Sequence, residues 1–305
     1  MNILITGLNG LIGIELSKLI NKNLKKFPNI RIFSFIKSDH VNTFNLPSYS
    51  LSNYVIRGNC NSEEDFVNAL KISKPDLIIH IAQILYSKNI LHAIKLLEIS
   101  PHLIIVGTTG VFSKYKTCSA NYKLSEELLL DSNLTYNLIR PTMIYGSPHD
   151  KNIHKLMNNI IRGFPIPILN GGSSLFQPVF FKDISEIIFN LLLDFCESNS
   201  TKRTFWNCPG PDKISLRDIC KVISKTVGKK VKFLDLPYYP LYFLSSTMEY
   251  MMKNKSPIKG EQILRLKEDK IYDSNMKLAL KGKKPTNFES GINYLYSTLI
   301  NYNIN

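Results

Sequence analysis

The chain has 305 residues, of which 44% are hydrophobic and 20% charged, a balance that excludes a disordered or low-complexity protein and allows one large domain, or a large and a small one. No run of eighteen or more apolar residues occurs, which excludes a membrane-spanning helix. The formal net charge of +14 is spread along the chain, as Lys22–Lys26, Lys221–Lys232, Lys253–Lys259 and Lys281–Lys284, and reads as a solvated basic surface rather than a nucleic-acid site. The first predicted element is the strand Asn2–Thr6, followed by a helix over Gly10–Asn21. Further strands are predicted at Ile30–Ile36, Tyr54–Ile56, Asp76–Ile81, His102–Val106 and Tyr136–Ile139, with helices at Glu63–Lys71, Lys88–Leu97 and Ala120–Asp131 between them. Short apolar strands alternating with amphipathic helices predict an α/β fold, a doubly wound parallel sheet with its ligand crevice beyond the carboxyl ends of the strands.

The second half is punctuated by proline. Helices are predicted at Asp183–Phe195, Ser215–Val227, Pro240–Lys253 and Phe288–Leu299. Ser215 with Asp218 reads as a capping box, and Asp183 as the cap of the helix that follows it. The apolar stretch PYYPLYFLSSTMEYMM reads as a core or interface helix, with membrane contact as the alternative. The expected organisation is a Rossmann-type dinucleotide-binding domain over 1–165, to which segments within 175–210 return, and a small, mostly helical substrate-binding part over 166–305. The five cysteines form no CxxC pair and the six histidines no HExxH spacing, so neither disulfides nor a metal are expected. Met1 leads straight into the first strand with no basic leader, and the expected location is the cytoplasm.

The stretch NILITGLNGLIG places Gly7, Gly10 and Gly13 between the first strand and its helix. Gly7 is suited to a backbone conformation closed to other residues. Gly10 lets the backbone approach a pyrophosphate, for which the helix amino terminus offers free N–H groups. Gly13 lets the helix lie close to the sheet. Glycines used only for packing are the alternative. The second strand ends with Lys37, a cation better suited to a ribose 2′-phosphate than to a bare diol, so NADP is expected over NAD unless the strand runs on to Asp39.

The spacing TGxxGxxG resembles that of the short-chain dehydrogenase/reductase superfamily, in its extended or atypical branch of NAD-dependent epimerases and dehydratases. Segments resembling that branch recur in order along nearly the whole chain: GNCNSEEDF, KPDLIIHIAQ, IIVGTTGVF, LIRPTMIYG, QPVFFKDISEII, EQILRL and FESGI. The resemblance implies cofactor contacts from Gly7, Asn9, Gly10, Leu11, Ile12 and Gly13, from Lys37, from Asn59 and Cys60, from Ile81, Ala82 and Gln83, and from Pro141, Thr142 and Met143. It implies a catalytic hydroxyl at Thr108, with Thr109 as its neighbour on the substrate side, and a sugar-nucleotide pocket near Gln177 and Arg265. Arg140 is expected to order the loop after the sixth strand.

The superfamily's catalytic set continues with Tyr-x-x-x-Lys, the Tyr passing a proton and the Lys lowering its pKa. Here Tyr122 is followed at once by Lys123, and Glu126 stands four residues after Tyr122; with Lys123 on the family's Lys, the Tyr position holds Ser119. Three readings stay open. Lys123 keeps its cofactor role while Tyr122 or Tyr115 reaches the substrate from a shifted loop; another group does the chemistry; or the chain holds a cofactor without redox turnover, as the related accessory subunit of respiratory complex I looks to do. The resemblance implies an NAD(P)-dependent epimerase, dehydratase or reductase acting on a nucleotide-activated sugar, with no nucleic-acid or membrane partner, and a homodimer paired through helices such as Ala120–Asp131. The alternative is a cofactor-binding scaffold or sensor.

Overall fold

The apolar runs of the first half become strands β1 (Asn2–Thr6), β2 (Arg31–Ile36), β3 (Tyr54–Arg57), β4 (Leu77–His80), β5 (His102–Val106) and β6 (Tyr136–Pro141) in this computed structural model, which describes residues 1–27, 29–37, 54–150, 152–198, 202–252 and 260–304. Further strands follow: β7 (Ile144–Tyr145), β8 (Ile166–Leu169), β9 (Leu175–Phe176), β10 (Val179–Phe180), β11 (Thr204–Cys208), β12 (Ile214–Ser215) and β13 (Phe233–Leu236). The central sheet has seven strands among the described residues, in the order β11-β6-β5-β4-β1-β2-β3, and every pair in it is parallel. The order reverses between β1 and β4, the switch point at which a crevice opens along the carboxyl edge of a doubly wound sheet.

The helices of the first half are α1 (Leu11–Lys22), α2 (Glu63–Ser73), α3 (Ser87–Leu96) and α4 (Lys116–Leu130). Those of the second half are α5 (Ile153–Ile161), α6 (Phe181–Ser198), α7 (Leu216–Val227), α8 (Tyr238–Met252), α9 (Gly260–Arg265), α10 (Met276–Ala279) and α11 (Phe288–Ile304). Each sheet face buries one helical layer. On one side Ile3 and Ile5 of β1 pack with Leu16 and Ile20 of α1 and with Ile184, Ile188 and Leu192 of α6. On the other, Leu4 and Phe35 pack with Phe66 and Leu70 of α2, Ile90 and Ile94 of α3 and Leu129 of α4. Burial on both faces is why these strands read as continuous apolar runs instead of alternating. A third core joins α5, α7 and α11 through Met157, Ile219, Ile223, Ile292 and Leu295, with Tyr145 fully buried in it.

Half of the capping box forms: the Ser215 hydroxyl accepts from the Asp218 N–H at 3.1 Å, while the Asp218 carboxylate accepts from the Ser215 hydroxyl at 2.7 Å instead of from the backbone N–H. Other expectations are corrected. The helix expected from Ala120 starts at Lys116; its first residue follows Tyr115, which makes no side-chain cap bond, so no local signal marks the start. Asp183 lies inside the first turn of α6, and its carboxylate caps nothing there: it accepts from the N–H (2.8 Å) and hydroxyl (2.9 Å) of Thr286. Helix α5 was not anticipated, although Ile153, Met157 and Ile160 stand at helical spacing and are buried; the flanking asparagines mask that stripe. The helix expected over Pro240–Lys253 forms as α8, but with a solvent-facing aromatic ridge instead of a buried one. Its expected last residue, Lys253, lies outside the described residues, as does Asp39.

Candidate functional site

A parallel sheet gathers at one edge every loop that leaves a strand's carboxyl end. Residues 7–13 after β1, Lys37 after β2, residues 58–60 after β3, 81–83 after β4, 107–109 after β5 and 142–143 after β6 therefore line the same edge. The loops after β1 and β4 touch: a Cβ on Gly7 would stand 2.9 Å from the Ala82 nitrogen, and Gly7 has φ +74°. A Cβ on Gly13 would lie 2.4 Å from the Gly7 oxygen and 2.5 Å from the Leu8 Cα. Both glycines are thus required by the turn itself.

Gly10 is different. It has an ordinary backbone (φ −82°, ψ 171°) as the N-cap of α1, with no side-chain cap bond, and an added Cβ would meet within 4 Å only the Gly7 oxygen, at 3.2 Å. Internal packing does not demand a glycine there. A cavity of about 360 Å3 borders this point; it is lined by Asn9, Gly10 and Leu11 and runs along α1 past Glu15 and Lys18 toward Tyr294 of α11, apart from the loops after β2 to β5. A bare backbone facing a cavity at a helix amino terminus fits an anion. Ile12 is buried beneath it, and its carbonyl accepts from Ser185 of α6 at 3.1 Å.

The loop after β4 is fixed by His80, which is fully buried. Its Nε2 faces the Gln83 carbonyl at 3.1 Å and its Nδ1 the Thr6 hydroxyl at 2.6 Å. A carbonyl only accepts, so Nε2 carries the proton and Nδ1 accepts from Thr6. Burial pushes the imidazole pKa down to about 4, against a smaller upward pull from the Gln83 carbonyl. The unfolded chain therefore binds a proton at this position that the native state excludes between pH 6.5 and about 4, so stability falls as pH drops through that window, by up to about 3 kcal/mol. Urea midpoints measured from pH 7.5 down to 4.5 are expected to decline steadily, and a flat profile would refute the neutral buried histidine. Asn59, exposed after β3, accepts from the Asn61 N–H at 3.0 Å. The neighbouring Cys60 thiol is pushed up by burial to about 11, which makes it no thiolate nucleophile.

After β5, the Thr108 hydroxyl accepts from the Gly110 N–H at 3.0 Å, which leaves its own O–H to donate outward. Thr109 is buried and donates to the Pro141 carbonyl at 3.4 Å. Its hydroxyl also shares a hydrogen bond with Tyr272, whose phenol pKa burial raises and on which the Arg265 charge bears. Tyr272 arrives from the segment after α9 and was not singled out from sequence; only the fold brings it to Thr109. The structure thus brings Thr109 against Tyr272, with Arg265 near enough for its charge to act on that phenol. Gln177 is directed elsewhere. Its buried amide donates to the Gly210 carbonyl at 3.1 Å and accepts from the Tyr272 N–H at 2.8 Å, so both ends are engaged by the scaffold. Thr142 donates to the Gln177 carbonyl, and the Met143 carbonyl accepts from Val179 at 2.9 Å.

Helix α4 presents Ser119, Tyr122 and Glu126 inward and Lys123 to solvent. Because α4 begins at Lys116, Tyr122 lies on a regular helix, not on a shifted loop. Its ring packs over the turn after β5, where a Cβ on Gly110 would stand 3.3 Å from both the Tyr122 ring and the Thr108 oxygen. Ser119 donates to the Tyr115 carbonyl at 3.1 Å. Glu126 accepts from Arg140, Nε at 3.0 Å to each carboxylate oxygen and Nη2 at 2.6 Å. The Arg140 guanidinium also lies 5.3 Å from the Phe112 ring and 5.0 Å from that of Phe205. This arrangement ties α4 to the end of β6.

No protein-family model matches the chain. Among curated proteins, subunit 9 of the NADH dehydrogenase [ubiquinone] 1 alpha subcomplex, mitochondrial, of Arabidopsis thaliana is 22% identical over 143 residues. That alignment takes in 47% of this chain and 35% of the plant protein, so it spans about a third of that relative's length. Similar solved structures cover whole chains. The UDP-glucose 4-epimerase of Thermotoga maritima, solved with UDP-glucose, matches at TM-score 0.72 and 14% identity over 99% of each chain. The UDP-glucuronic acid 4-epimerase of Bacillus cereus, solved with UDP-glucuronic acid and NAD, matches at TM-score 0.72 and 17% identity over 99% of this chain and 100% of that one. The UDP-glucose 4-epimerase of Thermus thermophilus, solved with NAD, matches at 0.68 and 14% over 98% and 99%. The chain shares their fold from end to end: a Rossmann-type parallel sheet with flanking helices and a helical C-terminal part. No helix among the described residues is long and apolar enough to cross a membrane.

Proposed function

We propose that this protein holds a nicotinamide dinucleotide along the carboxyl edge of its sheet and acts on a nucleotide-activated sugar, as a 4-epimerase or a closely related dehydratase or reductase. The observation that carries the reading is Gly10, a glycine that the turn's own packing does not require, facing a cavity at the start of α1. The whole-chain likeness to epimerases solved with NAD and UDP-sugars supports the choice of ligands.

In this reading the first-turn N–H groups of α1, from Leu11 onward, bond the pyrophosphate. Ile81, Ala82 and Gln83, fixed by His80, wall the dinucleotide on the β4 side, and Asn59 and Cys60 border it beyond β3. Pro141 and Met143 form the floor at the end of β6. The bound dinucleotide supplies a hydride acceptor and donor. Thr108 turns its free O–H toward a sugar oxygen and polarises it, Lys123 holds the ribose, and Arg265 meets the diphosphate of the substrate. Lys37 favours the 2′-phosphate of NADP, whereas the similar solved enzymes were crystallised with NAD. Titration of the purified chain with NADPH and NADH, followed by fluorescence, tests the proposal. Micromolar binding that Gly10→Glu abolishes is expected, with the tighter of the two naming the dinucleotide; no binding of either would refute it.

A second reading, cofactor retention without turnover, is favoured by one observation. The position of the superfamily's tyrosine holds Ser119, whose hydroxyl bonds back to its own helix, and no tyrosine stands four residues before Lys123. A panel of UDP-sugars separates the two: turnover lost in Thr108→Ala and Lys123→Ala speaks for the enzyme, and tight binding with no conversion for the scaffold. We also propose that the chain pairs with a second copy through α3 and α4, where Leu91 and Leu128 line a groove of about 500 Å3 and Leu124 is 56% exposed beside it.

A further inference from the structure

Helix α8 carries the most exposed aromatic side chains described in the molecule. Tyr239 is 77%, Phe243 71% and Tyr250 87% exposed. At about 100° per residue these three fall within roughly 40° of one another around the helix, on a ridge roughly 17 Å long. The opposite face is the one that is anchored. Tyr238 and Ser245 are buried, Tyr238 stacks on Tyr242 with ring centroids 6.0 Å apart, and the Lys267 ammonium lies 3.3 Å above the Tyr238 ring. A helix packed by one face with aromatics aligned on the other has an unsatisfied apolar surface.

Charge says what that surface fits. The eight residues that follow the helix in sequence, KNKSPIKG, carry Lys253, Lys255 and Lys259 and no acid. Lys229, Lys230 and Lys232, all exposed, precede β13, the element that leads into α8. Of the acids nearby, Glu268 accepts from Ser113 and Lys114 and is half-buried, whereas Asp269, which accepts from the Leu175 N–H, and Asp235, paired with Arg217, stay exposed and offset part of that charge. The net charge of the whole chain is +14. Three aromatic side chains offer about 600 Å2, short of the roughly 800 Å2 per partner of a stable protein interface. Tyrosine and phenylalanine beside lysines are, by contrast, the composition that settles at the headgroup level of an anionic bilayer.

We infer that α8 is a membrane-surface helix, which seats the protein on an anionic phospholipid surface by inserting Tyr239, Phe243 and Tyr250, with the net positive charge of the chain drawing it to the headgroups. This is independent of the reading of the cofactor site. The test is flotation of the purified full chain with vesicles of phosphatidylglycerol and phosphatidylcholine in equal parts, against vesicles of phosphatidylcholine alone. The chain is expected to float with the first and not the second. The triple substitution Tyr239→Ser, Phe243→Ser, Tyr250→Ser is expected to lower the bound fraction at least about tenfold with an unchanged melting temperature, because all three side chains lie outside the core. Should that variant fail to fold, Phe243→Trp decides: its indole emission is expected to shift to the blue on addition of the anionic vesicles. Failure to float with either vesicle, equal flotation with both, binding unaffected by the triple substitution or an unshifted indole would each overturn the assignment. A dimer in sedimentation that the triple substitution abolishes would overturn it in favour of a second copy of the chain.

Discussion

Gly10→Ala is expected to leave the protein folded and to loosen its grip on the dinucleotide, whereas Gly13→Ala is expected to damage the fold itself. The two glycines are three residues apart in one motif, and their surroundings separate them. A methyl group at Gly13 would be driven to 2.4–2.6 Å from the Gly7 oxygen, the Leu8 Cα and the Leu8 oxygen, all backbone atoms, and such overpacking costs about 3 kcal/mol even though alanine is the better helix former. At Gly10 the single contact is 3.2 Å, which a shift of a few tenths of an ångström relieves, so stability should change by less than about 1 kcal/mol. The same methyl group would stand between the helix terminus and a pyrophosphate. Losing one charge-assisted hydrogen bond there costs about 2 kcal/mol, roughly thirtyfold in Kd. Urea denaturation and NADPH or NADH titration of both variants check this; equal loss of stability in the two would show that Gly10 only packs.

Glu126→Ala is expected to destabilise the protein by about 3–5 kcal/mol. The carboxylate is 5% exposed and its Arg140 partner 12%, so removal leaves a guanidinium buried between two aromatic rings without its counter-charge. The double substitution Glu126→Met, Arg140→Leu is expected to recover most of the loss, because an apolar pair of similar volume leaves no charge to desolvate. Urea midpoints at unchanged m-value measure both. A single variant within about 1 kcal/mol of the parent would mean that water reaches the pair. Arg140 immediately precedes Pro141, so the single variant should also weaken cofactor binding, through the position of the β6 end.

The parts of the fold that sequence displays are those governed by local pattern. Strands β1, β2, β4, β5 and β6 are visible because burial on both faces demands runs such as ILI and LIIV, the exposed edge strand β3 only as the short run YVI, and α7 because Ser215 and Asp218 cap it. What sequence hides is assembled from distant pieces. Strand β11 is five residues of mixed character, TFWNC, and becomes the sheet's edge only by pairing with β6. Arg140 and Glu126 are two ordinary charges until α4 lies across β6. Tyr272 meets Thr109 from the far side of the chain. The three glycines are legible as a motif, yet which of them serves the turn and which a ligand depends on where Ala82 and Leu8 sit. The α8 ridge is apolar on paper in either case; only the packing of Tyr238 and Ser245 reveals that Tyr239, Phe243 and Tyr250 face out.

The buttress of α1 by α6 has a consequence for how the molecule is made. The helix that begins at Gly10 rests Leu16 and Ile20 on Ile184 and Ile188, and its Ile12 carbonyl takes a hydrogen bond from Ser185, 173 positions later. During synthesis α1 leaves the ribosome among the first elements and stays uncovered on that side until α6 emerges, while the face under α2, α3 and α4 can close much sooner. The nascent chain therefore spends most of its elongation with one side of its sheet naked, and the turn that would greet a dinucleotide gains its support only when nearly two thirds of the polypeptide exists.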